Sequence, residues 1–566
     1  MSKLHLIWCL VPTLWTSPVG TPAGLSPNDQ VARGTRCAVV SADSHATTVG
    51  LQVLRSGGNA VDAAVAVALT LSVTHPQAGN LGGGGFMVIR LSDGRTTSLD
   101  FRELAPARAT RDMYLREDGS VHPDKSLWGA LAGGVPGSPA GLLAVHQKFG
   151  KQSFASLVAP AIRLAREGFE VDQFLAAALA AKHPILSRFP ATKAVFYRGD
   201  RPLKQGERLV QRDLADTLER LAKGGFDGFY RGVTAEHFVT HLRAQGGIIQ
   251  KSDLAAYQPV WRTPVQGSYR GHTVLSMPPV SSGGIALIEM LNILEGFDLR
   301  ASGFGSSKTV HLMAESMKRA YADRARWLGD PGFYKVPQSG LVAKAYAARY
   351  RKSIRLDKVT KVTHGVPKGA KESDDTTHFS VVDAAGNAVS CTTTINSIFG
   401  SGMVAGRTGF LLNNEMDDFS AKPGTPNQFG LVGGEANAIA AGKRMLSSMT
   451  PTIVLKDGKL RLVLGSPGGG RIINTVLQVI LNVVDHGLPV DQAVRAPRVH
   501  HQWRPDHLFW EPTSLSADVR AGLHRRGHAF AAAPIVIGRC QAIEILPDGT
   551  RFAAADPRSG GSAAAF

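Results

Sequence analysis

Cysteine is scarce: Cys9, Cys37, Cys391 and Cys540 are the four in 566 residues. No two stand at metal-site spacing, and four thiols cannot staple a chain this long. A disulfide scaffold is excluded, and one bridge at most could form. Long hydrophobic runs are also missing. No uninterrupted apolar stretch reaches the ~20 residues that a membrane-crossing helix needs. Charged residues amount to 19% against 43% hydrophobic, which excludes a disordered, highly charged tail protein. The formal net charge of +18 could favour anionic partners. The Lys and Arg residues are scattered, however. With no basic helix, zinc-finger spacing or aromatic–basic RNA motif, no nucleic-acid partner is expected.

What is there is a long chain with 62 glycines and 31 prolines, enough for a large core in one big α/β domain or more than one lobe. The N-terminal "MSKLHLIWCLVPTLW" puts one lysine before a short apolar run, and small residues follow in "TPAG". Residues 1–24 read as a signal peptide cleaved near Ala23, so a soluble protein outside the cytoplasm, periplasmic or secreted, is expected. "AVVSADS" at 38–44 reads as a short strand. "GGNAVDAAVAVALTLSVTHP" reads as a buried helix capped by Asn59 and ending before Pro76. A hairpin turns at Asp93–Gly94. Residues 140–240 look mostly helical, "GHTVLSMPPVSSGG" is a strand followed by a turn, and a helix covers 306–328. Residues 340–375 are basic, polar and exposed in character.

Past residue 375 the pattern changes. "THFSVVD" and "NAVSCTTTI" are strands around "AAG", a three-residue connection whose Gly386 takes the left-handed conformation. Counting back from that turn sets Thr376 across from about Thr394. A second hairpin turns at Asp457–Gly458 and leads through "GSPGGGR" into "IINTVLQVILNVVD", whose apolar residues recur at helical spacing. Strand pairs alternating with buried helices suggest stacked sheets covered by helices. Threonine is common in strands, so composition gives Thr376 and Thr377 no special role. A mid-chain threonine hydroxyl is a poor nucleophile, but at a chain terminus its own α-amine can serve as base. Chemistry at Thr376 therefore requires a cut between Asp375 and Thr376, which the polar run before it permits.

"DDTTHFSVVDAAGNAVSCTTTINSIFGSGMVAG" resembles the processing site of the gamma-glutamyltranspeptidases, or glutathione hydrolases. The resemblance extends through "THPQAGNLGGGGFMVIR", "DFRELAPARA", "PPVSSGG", "GFLLNNEMDDFSAKPG", "KRMLSSMTPTIV", "GSPGGGRIINTVLQVI" and "PRVHHQW", in the family's order, from about residue 35 onward. It implies an α+β fold, the four-layer α-β-β-α sandwich of N-terminal nucleophile hydrolases, formed jointly by two subunits from one precursor. Residues 25–375 would be the large subunit. Residues 376–566 would be the small one, released by attack of the Thr376 hydroxyl on the Asp375 carbonyl and held in a heterodimer. The implied substrates are glutathione and other γ-glutamyl compounds, with water, amino acids or dipeptides as acceptors. No cofactor and no metal are implied.

By the same resemblance Thr376 is the nucleophile and Thr394 contacts it. The backbone N–H groups of Gly468 and Gly469 hold the oxyanion. Arg102, with Ser447 and Ser448, takes the substrate α-carboxylate, and Asn396, Glu415 and Asp418 take its α-ammonium. These residue types suit such a ligand, because a guanidinium fork matches two carboxylate oxygens, and acidic or amide oxygens accept from an ammonium. "GSPGGGR" and "GNLGGGGF" lack the Lys-Ser/Thr ending of a nucleotide loop. Taken alone, "NNEMDDF" could be a solvated loop, "LSSM" a turn and Arg102 a surface residue. His378, His500 and His501 read as structural. The sequence departs from the family at the lid, where Phe429 stands at a position often held by tyrosine. Some relatives remove a glutaryl group, which lacks the α-amine. Retention of acids at 415 and 418 favours γ-glutamyl specificity.

Overall fold

The computed structural model describes residues 30–362 and 376–566. The expected signal peptide and Asp375 lie outside the described residues, as does the rest of 363–374.

Two seven-stranded sheets, antiparallel throughout, form the centre. One runs in the order Val31–Gly34, Arg551–Ala555, Gln541–Ile545, Lys459–Gly465, Thr452–Lys456, His272–Ser276, Val265–Tyr269. The other runs Ser562–Ala565, Ala38–Ser41, Thr377–Val382, Ala388–Thr394, Gly84–Arg90, Thr96–Asp100, Val260–Arg262. Each sheet draws strands from both sides of residue 376.

Successive side chains on a strand point to opposite faces, and here both faces are covered. In the second sheet Val39, Met87, Ile89, Val381 and Val389 turn outward to a helical layer. Their neighbours Val40, Phe86, Val88 and Val382 turn inward, where they meet Ile453, Val463, Ile543 and Ala553 of the first sheet. The outer face of the first sheet, with Val454, Leu462, Leu464 and Phe552, lies under helices Gly283–Leu294, Ser307–Trp327 and Ile472–Val484. The layers are thus α-β-β-α, the sandwich expected from the sequence. Burial on both faces explains why these strands read as apolar runs, each buried aliphatic or aromatic side chain contributing about 1.5–3 kcal/mol.

Local chemistry sets the element ends. The helix expected after Asn59 spans Ala60–Thr74 and is buried along its whole length. The Asn59 side chain accepts from the Val61 and Asp62 N–H groups, and Asp62 accepts from the Asn59 N–H, a reciprocal cap. Asp43 caps the helix Ser44–Arg55 through the Ala46 N–H. The hairpin after residue 376 turns with Gly386 at φ +87°, as its sequence requires. The glycine run before Phe86 has a packing reason. A Cβ on Gly83 would stand 2.0 Å from the Thr394 carbonyl oxygen, and one on Gly85 2.6 Å from that of Thr392. Only glycine lets this strand pass so close to its neighbour. Among the described residues, no helix is long and apolar enough to cross a membrane, and Cys37, Cys391 and Cys540 are free and buried.

Candidate active site

Thr377 pairs with Thr393, and the register carries on to place Thr376 across from Thr394 at the open end of the strand pair. Thr394 Oγ1 accepts the Asn396 N–H at 2.7 Å, and Asn396 turns the chain with φ +73°, a region asparagine tolerates. Its side-chain N–H donates to the Asn414 carbonyl at 2.9 Å. Asn413 accepts from Gly134 and Glu415 N–H groups and donates to Gly82 and Gly134 carbonyls. The "NNE" segment is therefore a buried pocket wall rather than a solvated loop. Arg102, Thr376, Thr394, Asn396, Glu415, Asp418, Phe429, Ser447, Ser448 and Gly469 line one cavity, with Leu431, Met449 and Ile472. Of the residues singled out in the sequence, Gly468 stands one position outside this lining.

Charge is concentrated here. The buried Arg102 guanidinium donates to Glu415 Oε1 and to Asp418 Oδ2 through its two terminal nitrogens, and through Nε to the Met445 carbonyl at 3.3 Å. Burial pulls the Arg102 pKa down, and Glu415, Asp418 and Glu103 together push it above its ordinary value. The three carboxyls have one guanidinium among them. Glu103 lies 3.7 Å from Arg102, and neither of its oxygens has a hydrogen-bond partner among the described residues. Burial pushes it up to about 7, Arg102 acting against that rise. Burial likewise raises Glu415 and Asp418 above their ordinary values, and at each Arg102 acts against the rise.

Ser447 and Ser448 are fixed by a segment remote in sequence. Ser282 N–H and Oγ–H both donate to the Ser447 carbonyl, at 2.8 and 2.6 Å, and Ser281 Oγ–H donates to that of Met449 at 2.6 Å. Ser447 Oγ accepts the Met449 N–H at 3.1 Å, and Ser448 Oγ accepts from Arg324 at 3.1 Å. Opposite them the chain turns through Gly468 (φ +137°) and Gly469 (φ +51°) into the helix Ile472–Val484. Positive φ at both positions favours glycine. Among the described residues, neither glycine N–H donates to a protein acceptor. Tyr321 braces the loop by donating to the Gly470 carbonyl.

Phe429 covers the cavity, 5% exposed. Its N–H donates to Asn427 Oδ1 at 3.0 Å and its carbonyl accepts from Gln502 at 3.1 Å. Asp417, beside Asp418, tethers the same segment: Ser126 Oγ–H donates to one oxygen at 2.7 Å and the Gln428 N–H to the other at 3.1 Å. Burial pushes the Asp417 carboxyl up to about 7. The remaining space is about 20 Å³, room for about one water. His378 and His500 are buried away from this cavity, bonded to Thr392 and Ser380 and to Asn474 and Gln502 respectively, and burial holds both pKa values down to about 3. His501 pairs with Asp506 at 3.2 Å. Ser282, Tyr321, Arg324, Asp417 and Glu103 escaped the sequence reading. Glu103 and Asp417 adjoin singled-out residues and Ser282 stands within "PPVSSGG", whereas Tyr321 and Arg324 carry no local signal.

A four-layer sandwich with a threonine at the head of an inner strand, facing a glycine turn, defines the class of N-terminal nucleophile hydrolases. The gamma-glutamyltranspeptidase profile matches residues 46–566, and the chain belongs to that family. It is 52% identical over 524 residues to the glutathione hydrolase proenzyme of Escherichia coli K12, covering 92% of this chain and 90% of that protein. The cephalosporin acylase structure from Bacillus halodurans superposes with a TM-score of 0.84 at 28% identity, covering 98% of this chain and 99% of that one. The Helicobacter pylori gamma-glutamyltranspeptidase structure gives a TM-score of 0.55 at 45% identity, covering 56% of this chain and 91% of that one.

Proposed function

We propose that the protein is a self-cleaving γ-glutamyl transferase and hydrolase acting on glutathione and related γ-glutamyl compounds. The observation that carries this reading is the convergence in one pocket of a strand-heading threonine, a cation paired with two acids, two serine hydroxyls and a glycine turn. The precursor is cut before Thr376 when its Oγ attacks the preceding carbonyl. An ester replaces the amide, and water then hydrolyses it, which frees the Thr376 α-amine. The large subunit, residues 25–375, and the small subunit, 376–566, stay together as a heterodimer because both sheets interleave strands from each.

In the mature enzyme the α-amine takes the proton from Thr376 Oγ as that oxygen attacks the γ-carbonyl of the substrate. Thr394, opposite, holds the nucleophile in register. The N–H groups of Gly468 and Gly469 receive the oxyanion, each such donor being worth about 10²–10³ in rate. Collapse returns the proton to the departing amine and leaves a γ-glutamyl ester on Thr376. Water then yields glutamate, and an amino acid or dipeptide yields a transfer product.

The substrate end carries one negative and one positive charge, and the pocket offers the complement of both. Its α-carboxylate takes Arg102 together with the Ser447 and Ser448 hydroxyls. Its α-ammonium takes Glu415, Asp418 and the side-chain carbonyl oxygen of Asn396. Substrate entry thus exchanges the Arg102–acid pairs for pairs with the substrate. The small cavity means that the Phe429 segment must open first. Phe429 closes by packing alone, without the hydroxyl bond a tyrosine would add. The protein acts outside the cytoplasm, periplasmic or secreted.

Intact mass with N-terminal sequencing tests the reading. Wild type is expected as two chains, one beginning at Thr376, with release of p-nitroaniline from L-γ-glutamyl-p-nitroanilide. The Thr376→Ala variant is expected as one inactive chain. A fully active wild type that remains a single chain would overturn the mechanism.

A further inference from the structure

The buried helix Ser307–Trp327 reaches the pocket from behind through one face. Tyr321 braces the glycine turn, and Arg324, one turn on, reaches the serine pair. Arg324 Nε–H donates to Ser282 Oγ at 2.9 Å and a terminal N–H donates to Ser448 Oγ at 3.1 Å. Ser282 Oγ–H in turn donates to the Ser447 carbonyl at 2.6 Å. Among the described residues no carboxylate lies within ion-pair range of Arg324. Asp418 attracts this buried guanidinium from beyond ion-pair distance and Arg102 repels it, so its direct contacts are hydroxyl oxygens alone.

A serine hydroxyl has one proton and two acceptor lone pairs. We infer that Arg324 is a positioning residue for the substrate α-carboxylate: by donating to Ser448 Oγ it leaves the Ser448 proton to be given into the pocket, and it places positive charge behind that donor. An anion at Ser448 is thereby favoured and a cation disfavoured, so Arg324 fixes which end of the zwitterionic γ-glutamyl group lies at the serines and which at Glu415 and Asp418. Arg102 contacts the carboxylate directly, whereas Arg324 works through Ser448. The inference rests on the γ-glutamyl reading above.

The test compares acylation, as kcat/KM, by L-γ-glutamyl-p-nitroanilide and by the same anilide with its α-carboxylate converted to a carboxamide. Arg324→Gln is expected to lose about 10–100-fold on the carboxylate substrate, the worth of a charged hydrogen bond, and far less on the carboxamide. Arg324→Lys, which keeps the charge, is expected to recover part of the loss. With Ser448→Ala already present, Arg324→Gln should cost little more. Equal losses on both substrates, or failure of both Arg324 variants to fold and self-cleave, would make Arg324 structural and overturn the inference. A wild type inactive on both anilides would instead remove the γ-glutamyl reading itself.

Discussion

Gly469→Ala tests the glycine turn with a single methyl. At φ +51° an alanine is strained by about 1–2 kcal/mol. The added Cβ would also stand 2.8 Å from Phe429 Cδ1 and 3.1 Å from Cε1, well inside carbon–carbon contact at ~3.5–4.0 Å. The ring does not yield freely, since its backbone is held at both ends by Asn427 and Gln502. Either the cover is pushed off or the turn retreats and takes the Gly469 N–H with it. The second outcome removes one oxyanion donor, so kcat is expected to fall about 10²–10³-fold. The assay is p-nitroaniline release from L-γ-glutamyl-p-nitroanilide, on enzyme shown by gel to be cut. Adding Phe429→Ala separates the two causes, because it removes the overlap and leaves the backbone strain. A Gly469→Ala enzyme whose crystal structure shows the turn displaced, yet whose kcat stays within about threefold of wild type, would refute the placement of the oxyanion at this turn.

The acid pair gives a specificity prediction. Glu415→Gln and Asp418→Asn keep the shape and remove charge, so each should lower kcat/KM on the γ-glutamyl anilide by about 10–100-fold and on the glutaryl anilide much less. Equal rates of the wild type on both anilides would refute recognition of the α-amine. Asp417 gives a pH prediction. The folded protein raises its pKa from 3.8 to about 7. This contribution to stability is therefore fully present below the unfolded value and is lost as pH rises through the folded one, up to about 4 kcal/mol in all. Thermal unfolding of Asp417→Asn between pH 4 and 8, roughly the span of the two values, should show a shallower decline than wild type. A parallel decline would place the titration elsewhere.

How much of the molecule is legible in sequence depends on how local each signal is. The Asn59 cap, the Gly386 turn and the pairing of Thr376 with Thr394 can be counted out, because capping and hairpin register act over a few residues. That Arg102, Glu415 and Ser447 share a cavity cannot be counted out. Three loops more than 300 residues apart in the extreme meet there, and only the family resemblance joins them. The helix Ser307–Trp327 is legible as a helix, yet its many polar residues do not announce burial. In the structure Thr309–Arg324 is buried, and Tyr321 and Arg324 point at the turn and the serines. "PPVSSGG" reads as a turn, while its two serines clamp the segment 447–449. Contacts of this kind leave no periodicity to read.

The interleaving of strands has a consequence for the timing of synthesis. Ala38–Ser41 is made early, yet its neighbours on either side are Thr377–Val382 and Ser562–Ala565, and Val31–Gly34 waits for Arg551–Ala555. Neither sheet has all its strands until the ribosome has passed the 550s, so a nascent chain holds the bond before Thr376 in an unfinished sandwich. A cut that needs both sheets complete comes after translation, when the two pieces have already paired. A chain truncated at residue 540 should therefore remain a single band on a denaturing gel, and its cleavage would show that the outer strands are dispensable for maturation.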